Sequence, residues 1–233
     1  MQIHLCSKHC CIQCHFDFSC DVTQVQVTLH LNLCVFVSGN VVSMGEKIGP
    51  AGVKLELKKK DSSDVIQTVN SNSDGSYQFT QVLPGQYKVQ ASHNAWLIEP
   101  SSSDVTVVKD NGHAGSVITV LGYDVRGRVV SEGEPTKGVK LLLYSKTVKQ
   151  LNARACDQTG VDKLPLLDSK KPLCHTTSSE TGQFVFPALP CGVYSLVPVY
   201  HGENIKFDVV PAEMTFTVHH ESLQLQEVIA IFH

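Results

Sequence analysis

The sequence has no run of about eighteen apolar residues, so no part of it predicts a membrane-spanning helix. Its start, MQIHLCSKHC, places Gln, His, Lys and Cys where a secretory signal needs a continuous apolar stretch. From these two absences we expect no direct membrane insertion by this chain, and no signal peptide or anchor of its own.

A concentration of positive charge is also missing. The 19 basic residues are scattered and face 22 acidic ones, which gives a formal net charge of −3. Nucleic-acid binding needs a basic face along the phosphate backbone, so nucleic acid is not an expected partner. The run Lys58 to Lys60 is followed by DSSD, and we interpret it as a solvated hairpin tip.

Motifs of catalysis are absent as well: no nucleophile elbow, phosphate loop, dinucleotide fingerprint or HExxH helix occurs. His219 and His220, followed by Glu221, form the nearest approach to a catalytic cluster. Adjacent strand residues point to opposite faces, so we expect an exposed strand end there. His175 beside Cys174 lacks a third, orienting group. We therefore predict no catalytic residues, no cofactor and no enzymatic activity.

The cysteines are distributed unevenly, with six of the nine in the first 34 residues. The stretch CSKHCCIQCHFDFSC has spacings that suit zinc, which would be held by Cys10 or Cys11, Cys14 and His15, with Cys6 or Cys20 completing the site. The second close pair of a zinc motif is missing, so we predict no metal site. Residues 1–34 are expected to be an irregular segment outside the fold, although alternation over 25–37 predicts one extended strand.

What the sequence does contain is a repeat. DGSYQFTQVLPGQYKVQA at 74–91 returns as TGQFVFPALPCGVYSLVP at 181–198, and the segments before them also run parallel. Each copy has about 100 residues, enough for one sandwich core. We predict an all-β chain of two tandem antiparallel β-sandwich modules, immunoglobulin-like or prealbumin-like, at 35–121 and 122–233.

The repeated motif predicts turns and core positions. We expect Asp74-Gly75 to form a tight hairpin with positive φ angles, and Pro84-Gly85 to form a second turn in which Gly85 has positive φ. Tyr77, Phe79 and Tyr87 follow strand spacing on a face that needs an opposing sheet. The second copy repeats this order with Gly182, Phe184, Phe186, Pro190, Gly192 and Tyr194.

The copies differ mainly in a loop at about 145–173, some twenty residues longer in the second. Cys156 and Cys174 bracket it, and a disulfide between them would close a loop of about 20 residues, which makes sense only in an oxidising compartment. Trp96, the single tryptophan, is expected to close one end of a sandwich rather than to serve as a ligand platform.

The repeated motif consists of G-x-aromatic-x-F, then L-P-G, then an aromatic residue that opens a strand. It resembles the carboxypeptidase-regulatory-like, prealbumin-type β-sandwich repeat. GPAGVKLEL, the Gly122-Tyr123 junction, GEPTKGVKLLLYS and GENIKFDVVPAEMTFTVHHESL resemble the lumenal repeats of the nodal modulator family over about residues 35–233. The resemblance implies a large single-pass protein of the endoplasmic reticulum membrane with a dozen or so such repeats. It also implies association with nicalin and with the translocon machinery for multipass membrane proteins.

From this resemblance we expect a non-enzymatic scaffolding segment on the lumenal side of the membrane, with nicalin and translocon components as protein partners. The alternative is a carbohydrate-binding module, because related sandwich folds bind sugars. That alternative needs aromatic rings exposed on one face, whereas the ring pattern here is that of a buried face.

Overall fold

The computed structural model describes residues 2–7, 10–16, 27–32, 35–151, 156–200 and 207–232. Its side chains are described over residues 35–151, 156–200 and 208–231. Strands dominate, and the only helical element in the described ranges is a 3-10 turn at Val161–Lys163. None of the helical structure described is long and apolar enough to cross a membrane. The all-β prediction is confirmed.

The chain divides into two compact units. Unit 1 contains Met1–Val42, Ile48–Ser92 and Glu99–Thr119. Unit 2 contains Val120–His233 together with two earlier segments, Ser43–Lys47 and His93–Ile98.

Three strands precede residue 35: β1 (Gln2–Ser7), β2 (Cys10–Phe16) and β3 (Val27–Asn32), paired antiparallel in the order β1-β2-β3. The strand expected within 25–37 overlaps β3. The expectation of an irregular segment was wrong for β1 and β2, which are two further strands. In β1, Ile3 and Leu5 alternate with other residues as in a strand, but the alternation is short and the cysteine spacing favoured a different interpretation. The side chains of the zinc hypothesis, and Cys20 altogether, lie outside the described residues.

Unit 1 continues with eight strands: β4 (Val35–Ser43), β5 (Lys54–Lys59), β6 (Val65–Asn70), β7 (Ser76–Val82), β8 (Gly85–Ser92), β9 (Ser102–Val107), β10 (Gly112–His113) and β11 (Ile118–Val120). The last residues of β4 and β11, Ser43 and Val120, count with unit 2. One sheet has the order β10-β4-β11 with β7 also paired to β4, and the other has the order β6-β5-β8-β9.

The two sheets of unit 1 pack face to face because β4, β5, β7, β8 and β9 bury residues at mostly alternate positions. Leu55 and Leu57 of β5 are fully buried, as are Val37 of β4 and Phe79 of β7. A Cβ atom added to Gly112 of the first sheet would lie 3.0 Å from methyl groups of Val105 and Val107 in the second sheet. That distance is shorter than van der Waals contact, so the two apolar faces leave no room for a further atom at Gly112, and together they form the core.

Unit 2 contains ten strands: β12 (Tyr123–Ser131), β13 (Glu134–Pro135), β14 (Lys140–Ser145), β15 (Cys174–Thr177), β16 (Gln183–Leu189), β17 (Gly192–Val199), β18 (Phe207–Val210), β19 (Met214–Val218), β20 (Leu223–Gln224) and β21 (Val228–Phe232). One sheet has the order β13-β12-β21-β18 with β16 and β20 also paired to β12, and the other has the order β15-β14-β17-β19. That second order repeats β6-β5-β8-β9 of unit 1, so the sequence repeat is a repeat of topology.

Candidate functional site

The paired aromatic residues of the repeated motif lie in the cores of the two units. Tyr77 and Phe79 are at most 2% exposed, with ring centroids 5.9 Å apart in an edge-to-face arrangement. Phe184 and Phe186 are equally buried and 6.1 Å apart in the same arrangement. These rings contribute packing energy and are not available to stack on a sugar.

Each leading ring of the motif packs on a glycine in the neighbouring strand. Gly39 of β4 lies opposite Tyr77, and Gly127 of β12 lies opposite Phe184. A Cβ atom would sit 2.3 Å from the Tyr77 hydroxyl oxygen at Gly39, and 2.2 Å from the Phe184 ring at Gly127. The matching glycines in the two copies are therefore explained by the space that the rings occupy.

The Tyr77 hydroxyl is buried, and no hydrogen-bond partner for it occurs among the described residues. Burial raises the pKa of Tyr77 to about 12. The second copy has Phe184 at the equivalent place, without a hydroxyl. An unsatisfied buried polar group costs about 1–3 kcal/mol, so the hydroxyl opposes the packing gain of its ring.

We expect Tyr77→Phe to leave the free energy of unfolding of unit 1 unchanged or to raise it by about 1 kcal/mol, because only an unpaired hydroxyl is removed. Tyr87→Phe is the matched control: its hydroxyl donates to the backbone oxygen of Leu83 at 2.8 Å, and its removal should cost about 1 kcal/mol. Hydrogen exchange of the β4, β7 and β8 amides measures both changes. An equal loss in both variants would mean that Tyr77 has a bonding partner.

The hydroxyl of the tyrosine after each L-P turn donates to a backbone oxygen four residues earlier. Tyr87 donates to Leu83 and Tyr194 to Pro190, both at 2.8 Å. The tyrosine thereby fixes the turn that precedes its own strand. The sequence motif contained this information only as an aromatic residue at a constant distance from the turn.

The bend before this turn arises from a β-bulge and not from Gly85. Gly85 has no positive φ, so that prediction was wrong; positive φ occurs instead at Gln81 (56°) and Ala188 (54°). At these places β7 and β16 shift register against β4 and β12. A bulge residue in the left-handed region supplies the bend, which leaves Gly85 free to be extended.

Gly75 does have positive φ (82°), as does Gly182 (70°). The prediction of a tight hairpin at Asp74-Gly75 was wrong, however, because the turn joins β6 to β7, which belong to opposite sheets. Gly75 N–H donates to Asn72 O at 2.9 Å to close the turn, and Gly182 N–H donates to Ser179 O at 2.8 Å. The motif glycines therefore serve a crossover between sheets.

Cys156 and Cys174 are joined by a disulfide, with Cα atoms 5.7 Å apart. Cys174 belongs to β15 and is fully buried, so the bond attaches Cys156, which lies within the long loop, to the sheet. The neighbouring His175 and Asp157 exchange two backbone hydrogen bonds, of 2.8 and 3.1 Å. Because the sulfur of Cys174 is bonded to that of Cys156, Cys174 has no thiol to pair with the His175 imidazole.

A hydrogen-bonded cluster within unit 2 joins residues far apart in sequence. Ser43 Oγ is 2.5 Å from the Tyr123 hydroxyl and 2.7 Å from His220 Nδ1. Ser43 and Tyr123 are at most 1% exposed, and burial raises the pKa of Tyr123. The Cys191 thiol completes the cluster, 3.7 Å from His220 Nδ1. His220 is therefore half-buried and bonded, not at an exposed strand end as predicted, whereas His219 is exposed.

The chemistry of this cluster is structural. The Cys191 thiol donates to the backbone oxygen of His219 at 2.8 Å, and burial raises the pKa of this thiol, so the thiolate that nucleophilic catalysis needs is disfavoured. No group of three or more His, Cys, Asp or Glu residues in the described ranges has a geometry for a metal ion. The bonds instead satisfy buried polar atoms.

Trp96 packs edge-to-face on Tyr123, with ring centroids 5.0 Å apart, and its other neighbour His93 stacks on it at 3.7 Å. Its indole N–H donates to Ser222 Oγ at 3.0 Å. Since both ring and N–H are used inside unit 2, Trp96 serves packing. The prediction of packing rather than a ligand platform agrees with these contacts.

Comparison with known proteins gives two consecutive family matches. Residues 35–121 match the model described as BOS complex subunit NOMO1-like, second beta sandwich domain, and residues 123–231 match the NOMO third transthyretin-like domain. Over 193 residues the chain is 41% identical to BOS complex subunit NOMO1 of Homo sapiens and 40% identical to that of Mus musculus. These matches cover 82% of this chain but only 16% of each relative.

Solved structures resemble the chain more distantly. The TIE protein of Bacillus anthracis matches with a TM-score of 0.37 and 10% identity, covering 96% of this chain and 42% of that one. At this level the likeness does not bear on function.

Proposed function

Because the chain belongs to the NOMO family of BOS complex subunits, we propose that it is a non-enzymatic spacer and scaffold segment on the lumenal side of the endoplasmic reticulum membrane. In this proposal it acts in a complex with nicalin and the multipass translocon. The observation that carries the proposal is the pair of family matches, which end and begin at residues 121 and 123. Consecutive modules with so short a junction suit a spacer.

The disulfide between Cys156 and Cys174 supports the lumenal side of this proposal. Disulfides persist in oxidising compartments, which include the lumen of the endoplasmic reticulum, and are rare in the cytosol. The compartment is thus supported by an observation that is independent of the family matches.

The use of the polar groups supports a scaffold rather than an enzyme. Ser43, Tyr123 and His220 satisfy one another, and the Cys191 thiol bonds to the backbone. The aromatic rings of the repeated motif fill the core. These assignments leave the motif and cluster residues with structural roles, and they do not favour the carbohydrate-binding alternative.

Protease protection of intact microsomes tests the compartment, with an antibody against residues 35–233 as the probe. We expect the epitope to be protected until detergent is added, and nicalin to co-purify with the protein after mild solubilisation. A cytosolic marker and a lumenal marker calibrate each digestion. An epitope that is digested without detergent, or that remains in the cytosolic fraction without nicalin, contradicts the proposal.

A further inference from the structure

The loop between β14 and β15 is not needed to close a β-sandwich. In unit 1 the equivalent strands β5 and β6 are connected by residues 60–64, a short tip. In unit 2 the connection runs over 146–173 although the sheet order is the same. We call residues 156–173 the insert. Long loops that retain an ordered structure in compact domains are commonly functional.

The insert is held in one conformation by contacts along its length. The disulfide and the backbone pair of Asp157 with His175 fix its two ends, and His175 Nε2 lies 3.0 Å from the backbone oxygen of Thr159. In the middle, the Tyr144 hydroxyl donates to Pro165 O at 2.7 Å. A loop that is already ordered loses little conformational entropy when it binds, which favours recognition.

The tip of this ordered loop exposes an apolar side chain. Leu166 is 60% exposed, and the adjacent Pro165, whose backbone oxygen accepts the Tyr144 bond, is exposed as well. The anchoring of Pro165 fixes the position from which Leu166 projects. A leucine side chain that projects from an ordered loop can insert into an apolar pocket.

Charge around the tip is biased towards positive. Asp162 pairs with Lys171 at 2.5 Å, and Asp168 pairs with Lys146 at 2.9 Å. Lys163 and Lys170 form no salt bridge within the described ranges, although Lys170 is near enough to Asp168 to contribute, after Lys146, to the lowered pKa of that carboxyl. The insert itself carries three lysines and three aspartates, so the positive charge at its tip comes from the lysines that these two ion pairs leave over.

We propose that the tip of the insert is a docking element, in which Leu166 enters an apolar pocket with an acidic rim on another protein subunit, and Lys163 and Lys170 contact that rim. This inference rests on the proposed function, because it takes the partner to be another subunit of the BOS complex. Two lysines outside the ion pairs favour an acidic surface, since charge complementarity at an interface contributes to partner choice and association rate.

Site-specific photo-cross-linking in the assembled complex tests the apolar contact. Benzoylphenylalanine replaces Leu166 in one sample and Val108 of unit 1, which is 64% exposed, in the matched control. We expect a cross-link from position 166, but not from position 108, to a peptide of another BOS subunit in which Asp and Glu flank apolar residues. No cross-link at 166, or equal cross-linking at both positions, overturns the inference.

Charge reversal tests the electrostatic contact. The double variant Lys163→Glu with Lys170→Glu should lower the cross-link yield from position 166 by about fivefold or more. The double variant Lys163→Arg with Lys170→Arg keeps both positive charges and should retain the yield. Lys47→Glu with Lys109→Glu, two exposed lysines elsewhere, makes the same change in net charge and should have no effect. An unchanged yield in the first variant overturns the docking role of the lysines.

The same samples separate this inference from the proposed function. If nicalin co-purifies with the chain but position 166 does not cross-link, the scaffold role stands and the docking tip is wrong. If the chain co-purifies with no BOS subunit, the proposed function fails, and the docking inference fails with it.

Discussion

Replacing Gly75 with alanine is expected to destabilise unit 1 by about 4 kcal/mol, the sum of left-handed strain, a steric clash and a lost hydrogen bond. Gly75 has φ of 82°, and an added Cβ atom would lie 2.0 Å from the backbone oxygen of Val41. A non-glycine residue in the left-handed region costs about 1–2 kcal/mol. The clash is with the backbone of β4 and cannot be relieved by a side-chain rotation. Moving the turn away would also break the hydrogen bond from Val41 N–H to Gly75 O, 2.9 Å long.

Gly52→Ala is the matched control for this variant. Gly52 lies in the same unit with the same φ of 82°, but an added Cβ atom there would meet nothing within 4 Å. Its substitution should cost only the conformational strain, about 1 kcal/mol. Hydrogen exchange of the β4 and β7 amides measures the free energy of unfolding of unit 1, and it does not assume that the whole chain unfolds in one step. Similar losses in both variants would mean that the clash at Val41 is relieved at no cost.

The sequence contained the strands and their buried faces because those are local patterns. Tyr77 and Phe79 are two residues apart, and the same spacing in Phe184 and Phe186 repeated the pattern, so both the β class and the two-fold repeat could be predicted. What could not be predicted is the partner of each face. The opposition of Gly39 and Tyr77 becomes visible only when β4 and β7 are paired.

The turns were the least predictable part of the repeated motif. Positive φ was expected at glycine, the residue for which it is least costly, yet it occurs at Gln81 and Ala188 and not at Gly85. A bulge is defined by the register between two strands, which a single strand does not contain. The tertiary structure therefore overrides the local preference at these two positions.

The cluster of unit 2 was missed for a related reason. Ser43, Tyr123 and His220 are separated by 80 and 97 residues, so no local sequence pattern shows that they meet. His220 was interpreted from its neighbours alone as part of an exposed strand end. One signal was available: Ser43 lies at the end of an apolar strand pattern, where a buried polar residue needs a partner.

Breaking the disulfide is expected to lower the free energy of unfolding of unit 2 by about 3 kcal/mol. Cys156 and Cys174 are 18 residues apart, and closing a loop of this size restricts the unfolded chain by that amount in the chain-entropy model. Reduction of the unmodified chain is the direct test, because it adds no cavity at the fully buried Cys174. Hydrogen exchange of the β14 and β15 amides, with and without reductant, measures the loss.

The double variant Cys156→Ala with Cys174→Ala supplies the control for this test. It lacks the bond from the outset, so its exchange rates should not respond to reductant, even though other cysteines, including the free Cys191, remain in the chain. A reductant effect of equal size in the double variant would assign the loss to another cysteine. If reduction changes nothing in the unmodified chain, the contacts that survive reduction hold the insert without the disulfide, among them the hydrogen bonds of His175 and Tyr144 and the Asp168–Lys146 ion pair.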